Sequence, residues 1–452
     1  MRALVDGAVL LELPNAEALA LAAALLAEPP EGFLDAVPGA RTLLVLFEPE
    51  RFDVSVLSKP LPAAARAPSR TVKLQAVYDG PDLQELGPDA ALRHAALEHV
   101  VAFLGFAPGF AYMTGGFDVP RLRSPRVRVP AGSLAVADGY TGIYPDETPG
   151  GWRLIGRVAA RMFDPAAKPP ALLRPGDRVV FEPVDELPAM SAQSSSLPHG
   201  EPVLRVLAPG PFTSVQGAPR YGLSSSGVPA GGAMDPAALA DANALAGNDP
   251  LAPGLEFTIA GPELLALRPV RVAFMGTVHE LRAGEQVKVG MLREGARGYV
   301  AVEGGLAPEL VTRPLRSGDD LIRADIAATG TCRISRGTGS LLDVRAVAGP
   351  QFDHFREPAK FFGTEYTVSP QSDRRGLRLR GPPLEVIKPD IPPEGTAPGS
   401  IQVPGDGLPI VLGPDRPVTG GYPKIATVLS ADLPLLAQAR PGARIRFRET
   451  KL

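Results

Sequence analysis

Glycine and proline make up more than one residue in five of this chain, 49 and 51 of 452, against roughly one in eight in ordinary globular proteins. Neither is well tolerated inside a helix. The glycines show no three-residue period, which excludes a collagen-like rod. Many short strands joined by turns are the remaining solution. Barrels or sandwiches suit that punctuation better than a parallel α/β sheet. The length asks for two to four domains rather than one core.

Charge narrows the function only by exclusion. The 46 Lys and Arg residues oppose 49 Asp and Glu, a formal charge of −3, so no general basic field would hold nucleic acid. No run of apolar residues is long enough to predict a membrane span. The opening MRALVDGAVLLELP carries Asp6 and Glu12 within its apolar stretch and makes a poor signal peptide, so the expected compartment is the cytoplasm. A single cysteine, Cys332, excludes an intramolecular disulfide and any multi-cysteine metal site, and no metal is expected. It reads as a small buried hydrophobe before it reads as a reactive thiol.

Helices are expected in three places. Asn15 can cap a run from Ala16 to Glu28 that stops at Pro29 and Pro30. Asp89 opens a second, ending at Gly105, with Leu97, Val100, Val101 and Leu104 spaced as one helical stripe. Asp235-Pro236 opens a third, with Ala238, Ala242 and Leu245 inward and Gly247 as the stop. Short alternating runs predict strands at 71–78, 178–184, 203–207, 270–274, 298–302, 341–347 and 444–448. Residues 187–202, LPAMSAQSSSLPHGEP, read as a linker, and 385–399, EVIKPDIPPEGTAPG, as a flexible loop. The two sides of the linker resemble each other. PAGSLAV, TPGGW and LLRPGDRVVFEPV in 130–184 recur in the same order as PGSIQV, VTGGYP and LAQARPGARIRFR in 398–448. The repeat predicts two related β-units, each closed by a strand that follows an Arg-Pro-Gly turn.

Common chemical signatures are missing: no phosphate loop, no strand–GxGxxG–helix unit, no HExxH and no CxxC. The candidates are therefore Gly/Pro loops that carry charge. FLGFAPGFAY (103–112) is either a loop that packs aromatics or a wall of a small-molecule pocket. Arg121, Arg123, Arg126 and Arg128 crowd the next segment. Arg126 and Arg128 share a face of it, as a solvated edge or as an anchor for carboxylate or phosphate. Tyr144 and Trp152 line a pocket or fill a core. VQGAPRYGLSSSGVPAGGAMD (215–235) presents backbone amides ahead of the third helix, suited to an anion or serving only to cap it. In the last third, SPQSDRRG, PGDG and PDRPVTGGYPK set Asp373, Arg374, Asp406, Arg416 and Lys424 in glycine-rich frames. Singly each fits a turn or surface position; together they make a candidate polar site.

These segments carry a resemblance. FLGFAPGFAYM, PRLRSPRVRVPAGSLAVADGYTGIYPDETPGGWRLIGR and LRPGDRVVFEP resemble the first-subunit family of allophanate-hydrolase-related proteins. GVPAGGAMDPAALADANALAGN, GPQFDHF, YTVSPQSDRRG and the stretch from PGSIQV to LAQARPG resemble the second. In that order they are similar to the B and C subunits of bacterial ATP-dependent 5-oxoprolinase joined in one chain, and equally to the carboxyltransferase region of urea carboxylase. The resemblance implies a mainly β fold with α+β portions. It places a small N-terminal α/β domain at 1–80, a cyclophilin-like β-barrel at 81–187, a linker at 188–202 and a two-part cyclophilin-like β domain at 203–452.

The implied chemistry acts on an N–C=O group of a small molecule. One branch opens the lactam of 5-oxoproline to glutamate with ATP and a separate A-type subunit, ATP being bound with or by that partner. Another moves a carboxyl group to urea or a related amide from biotin carried by another protein, with a biotin carboxylase as partner. A third, of the kinase-inhibitor and antagonist type, acts by binding alone. A homo-oligomer is compatible with all three. Within the matching motifs, Arg126, Tyr144, Arg374, Arg416, Gly420, Gly421 and Lys424 are the expected substrate-binding residues. Asp373 or Asp406 is the expected base or orienting group. Three departures from the family pattern stand in this sequence, and the first favours the non-catalytic branch. Gly217-Ala218-Pro219 replaces an Asp-x-Gly, Arg375 adds a charge where the family has an apolar residue, and Pro417-Val418 replaces Gln-Thr.

Overall fold

Thr42–Phe47, TLLVLF, is buried at every position, the pattern of a strand covered on both faces. It lies third in a four-stranded antiparallel sheet ordered Arg2–Val5, Ala8–Glu12, Thr42–Phe47, Phe33–Pro38. Helix α1 (Asn15–Ala27) covers one face, setting Ala18, Leu21, Ala22 and Leu25 against Val9, Val45 and Phe47. The other face packs Leu10, Val37 and Leu44 against Ala397 and Val418, from the far end of the chain. The computed structural model describes residues 2–58, 70–122, 126–188, 200–324 and 341–451. Cys332 and Arg123 lie outside the described residues.

Two closed seven-stranded barrels follow. The first runs from Thr71–Val77 to Arg178–Pro183, so its opening strand precedes the boundary expected at residue 80. The second runs from Leu341–Ala348 to Arg444–Glu449. The repeat seen in the sequence is a repeat of closure. In each barrel the first and last strands pair in parallel, Thr71 with Arg178 and Leu341 with Arg444. In each, the last strand follows the Arg-Pro-Gly turn, whose glycine has a φ of 90° at Gly176 and 87° at Gly442. The Thr-x-Gly segments also match. Thr148–Gly150 pairs with Arg126–Val129, and Thr419–Gly420 pairs with Glu394–Gly395, each as a two-stranded ribbon beside its barrel. Residues 394–395 are therefore strand, not the flexible loop expected there.

Between the barrels, residues 202–322 form a four-stranded and a five-stranded sheet that share a core including Leu204, Val215, Phe257, Leu264 and Val300. Helix α3 (Pro236–Ala246) lies on the outer face of the five-stranded sheet, packing Leu239, Ala242 and Ala246 against Ala273, Tyr299 and Ala301. Asp235 caps it through a 3.0 Å bond from Ala238 N, and Gly247 ends it at φ 78°. Leu245, expected inward, is exposed.

Two expected helices change. Asn15 is the first residue of α1 and not its cap; its side-chain amide donates to Gly39 O at 2.9 Å. Helix α2 ends at Ala96 (Ala90–Ala96), and His99–Leu104 is a barrel strand. A short apolar run rich in β-branched residues satisfies both periods. Pairing with Ala111–Thr114 and Arg178–Pro183 decides for strand. Helix α4 (Leu433–Ala437) completes the elements that matter here.

Candidate functional site at the junction of the two halves

Three glycine-rich loops and one edge of the N-terminal sheet meet between the barrels. Gly105 sits so close to Thr419 that any side chain on it would collide with the threonine. Gly109 N donates to Ser226 O at 2.9 Å. Gly421 faces the guanidinium of Arg121, whose Nε donates to Asp138 Oδ2 at 2.9 Å. Beside Gly105, Phe106 takes a φ of 65°, a conformation that bulky side chains adopt only where surrounding packing enforces it. Asp35 ties the sheet to the same place, accepting from Gly222 N at 3.0 Å and Ser224 Oγ at 2.7 Å. Burial raises its pKa, partly offset by the Ser224 bond. Ala40 N donates to Pro393 O at 2.8 Å, which seats the sheet on the 394–395 ribbon.

Buried charges hold the loops. Arg374 spans the second barrel and the five-stranded sheet. It donates to Glu256 Oε1 at 2.5 Å, Asp415 Oδ2 at 2.7 Å and Gly232 O at 2.8 Å. Burial opposes its charge, but Glu256 and Asp415 keep it more firmly protonated than a free arginine. Glu256 also accepts from Met234 N and Tyr299 OH, both at 2.8 Å. Lys424 is wholly buried and ion-pairs with Glu394. Gln351 completes this group, donating to Glu394 Oε1 at 2.8 Å and accepting from Lys424 N at 3.1 Å. Arg416 differs: its Nε donates to Thr396 O at 2.8 Å, while Nη1 is buried without a partner. Burial pulls its pKa down to about 10.

The structure thus gathers Arg374, Arg416, Gly420, Gly421 and Lys424, but Arg374 and Lys424 are spent on internal ion pairs. Arg126 belongs to the ribbon beside the first barrel, donating to Asp82 at 2.6 Å. Tyr144 lies in that barrel's aromatic cluster with Phe106, Phe110 and Trp152, and its ring closes on Gly150. The 103–112 loop therefore packs aromatics and also forms part of the junction. Asp373 and Asp406 are exposed and brace their own turns, accepting from Gly376 N at 3.0 Å and Leu408 N at 3.1 Å. Asp406 also lines a cleft with Ser369, Gln371, Arg378 and Arg380. Sequence reasoning named Arg121 without singling it out, and passed over Asp35, Tyr221, Glu256 and Glu394. Arg121 stood in the arginine run; the two glutamates lie in strands where no motif marks them.

Comparison with known proteins fits this geometry. A family model described as carboxyltransferase domain, subdomain C and D, matches residues 1–173. A second, carboxyltransferase domain, subdomain A and B, matches residues 226–449. The chain is 31% identical over 289 residues to the 5-oxoprolinase C subunit of Escherichia coli K12, covering 55% of this chain and 92% of that relative. The chain belongs to the carboxyltransferase-domain family. It is also 37% identical over 172 residues to the 5-oxoprolinase B subunit of Escherichia coli O157:H7, covering 34% of this chain and 79% of that relative. A putative urea carboxylase of Emericella nidulans is 28% identical over 55% of this chain and 24% of its own length. The crystal structure of TTHA0988 superposes with a TM-score of 0.83 at 34% identity, over 97% of this chain and 99% of that one. The carboxyltransferase-domain fold, the order of its two subdomain pairs and its relation to enzyme subunits thus apply to this chain.

The loop ahead of α3 does not form a cradle for a nucleoside triphosphate. Where the glycine-rich loop runs into α3 two amides are already taken, Ala238 N by Asp235 and Met234 N by Glu256. A phosphate cradle presents such amides free. Among the described residues no cluster of His, Cys, Asp and Glu could hold a metal ion. No described helix is long and apolar enough to cross a membrane.

Proposed function

We propose that the chain is a fused B and C module of an ATP-dependent 5-oxoprolinase, opening the 5-oxoproline lactam to glutamate together with a separate A-type protein. One observation carries this reading. The B-like half and the C-like half interlock at Gly105–Thr419, Gly109–Ser226 and Arg121–Gly421. One chain thereby keeps the two modules in equal ratio and holds a shared mouth together. In this reading the substrate enters where Arg121 faces the Gly420–Gly421 turn, and ATP belongs to the partner, since no phosphate-loop motif stands in this sequence. The test is release of glutamate and ADP from 5-oxoproline and ATP, by the chain, by the A-type protein and by their mixture. Turnover in the mixture alone is expected. A confirmed complex without turnover would sink the reading.

Carboxyl transfer from biotin carried by another protein is the second reading. It draws on the match of both halves to carboxyltransferase subdomains and on the similarity to a urea carboxylase. A carboxybiotin-loaded carrier would then transfer labelled carboxyl to urea or a related amide in the presence of this chain. The lactam-opening reading expects no such transfer.

A further inference from the structure

Arg416 is 1% exposed and heads the fully buried side chains of the described residues. Such a guanidinium is costly to bury unless every N–H finds an acceptor and a counter-charge lies close. Arg374, which pairs with Glu256 and with Asp415, meets both conditions. Arg416 meets neither. Its nearest acids are engaged elsewhere: Asp415 turns to Arg374, and Asp35 is taken by Ala36 N, Gly222 N and Ser224 Oγ. Only a backbone carbonyl, Thr396 O, accepts from it, and Nη1 is left buried and unpartnered. Tyr221, 36% exposed, precedes Gly222, whose N–H donates to Asp35 at 3.0 Å. Arg220, next along the chain, has a buried Nε that also lacks a partner. Two guanidinium groups with an unused N–H therefore lie near the 220–222 loop, where Tyr221 reaches the surface.

We propose that Arg416 forms the floor of a binding site for a planar, singly charged oxyanion of the carboxylate type, entered past Tyr221. Arginine presents its donors in the plane that such an anion requires. The nearby Asp35 and Asp415 oppose the charges of Arg416 and Arg220, which disfavours the two charges of a phosphate more than the single charge of a carboxylate. The site rests on the unpaired guanidinium and not on which reaction the junction performs. The same chemistry fits the carboxylate of an organic substrate and bicarbonate.

The test titrates the full chain with [13C]acetate, [13C]bicarbonate and sulfate in separate experiments, following line width and calorimetric heat. Saturable binding of acetate or bicarbonate at one site per chain is expected, at least tenfold tighter than sulfate. Acetate alone would assign an organic carboxylate; bicarbonate alone would assign inorganic carbon. Arg416→Gln should weaken binding at least tenfold, with Arg416→Lys recovering part of it. Should Arg416→Gln fail to fold, Arg220→Gln and Tyr221→Phe lie nearer the surface and should each weaken binding several-fold. Absence of saturable binding would mean that solvent alone satisfies Arg416, and would overturn the proposal. So would sulfate binding as tightly as acetate or bicarbonate, or unchanged affinity in the folded variants.

Discussion

Lys424 has lost all contact with water, and Glu394 answers its charge. Removing one partner of such a pair leaves the other buried and uncompensated, at a cost of about 3–5 kcal/mol, whereas replacing both by apolar groups is often close to neutral. Lys424→Ala should therefore lose about that much in urea unfolding, and Lys424→Met with Glu394→Leu should recover most of it. His94 makes a pH argument. Burial, aided by His99, pulls its pKa down to about 3, while its ring nitrogens meet Tyr78 OH at 2.8 Å and Thr141 Oγ1 at 2.9 Å. The unfolded chain binds this proton near pH 6.5 and the folded one does not. Its stabilising effect is complete above pH 6.5 and declines by about 1.4 kcal/mol per pH unit as pH falls toward 3. His94→Gln should flatten that part of the stability profile. These roles were only half legible in the sequence. The motifs marked Arg374, Arg416 and Lys424 as polar residues of consequence. Their pairing was hidden because Glu256 lies 118 residues from Arg374 and Glu394 lies 30 from Lys424.

At the scale of elements, the two Arg-Pro-Gly turns do one job twice. Each delivers the last strand of a barrel into parallel pairing with the first. A Cβ on Gly176 or Gly442 would meet no atom within 4 Å, so alanine there tests backbone conformation alone. Each substitution should cost about 1–2 kcal/mol, and the two costs should match. A large cost in one barrel and none in the other would show that the closures are not equivalent. The repeated blocks exposed this symmetry because turns and closing strands are local. The strand His99–Leu104 was hidden because its apolar spacing fits helix and strand alike, and only neighbours distant in sequence separate them. The sandwich at 202–322 was legible as strands, but not as two sheets, since pairing between them is non-local.

For the whole molecule, the linker is a covalent convenience and the junction is the connection that matters. The N-terminal sheet buries one face on Ala397 and Val418, and Asp35 bonds to the 222–224 loop. Residues 1–188 and 200–452 expressed as separate chains should therefore co-purify at a one-to-one ratio. Gly105→Val, which drives a side chain into Thr419, should weaken that association. Elution as two separate species by the unmodified halves would contradict it. The shared mouth is tested most directly by kcat/KM for ATP-dependent glutamate release from 5-oxoproline, measured with the A-type partner for the natural chain and Arg121→Gln. Arg121 comes from one half and faces Gly421 of the other. Loss of a charged contact to substrate corresponds to about a 10- to 100-fold fall, expected here with partner binding unchanged and the fold verified, since the variant also gives up the Asp138 ion pair. Equal kcat/KM in the two proteins would contradict a site shared across the junction.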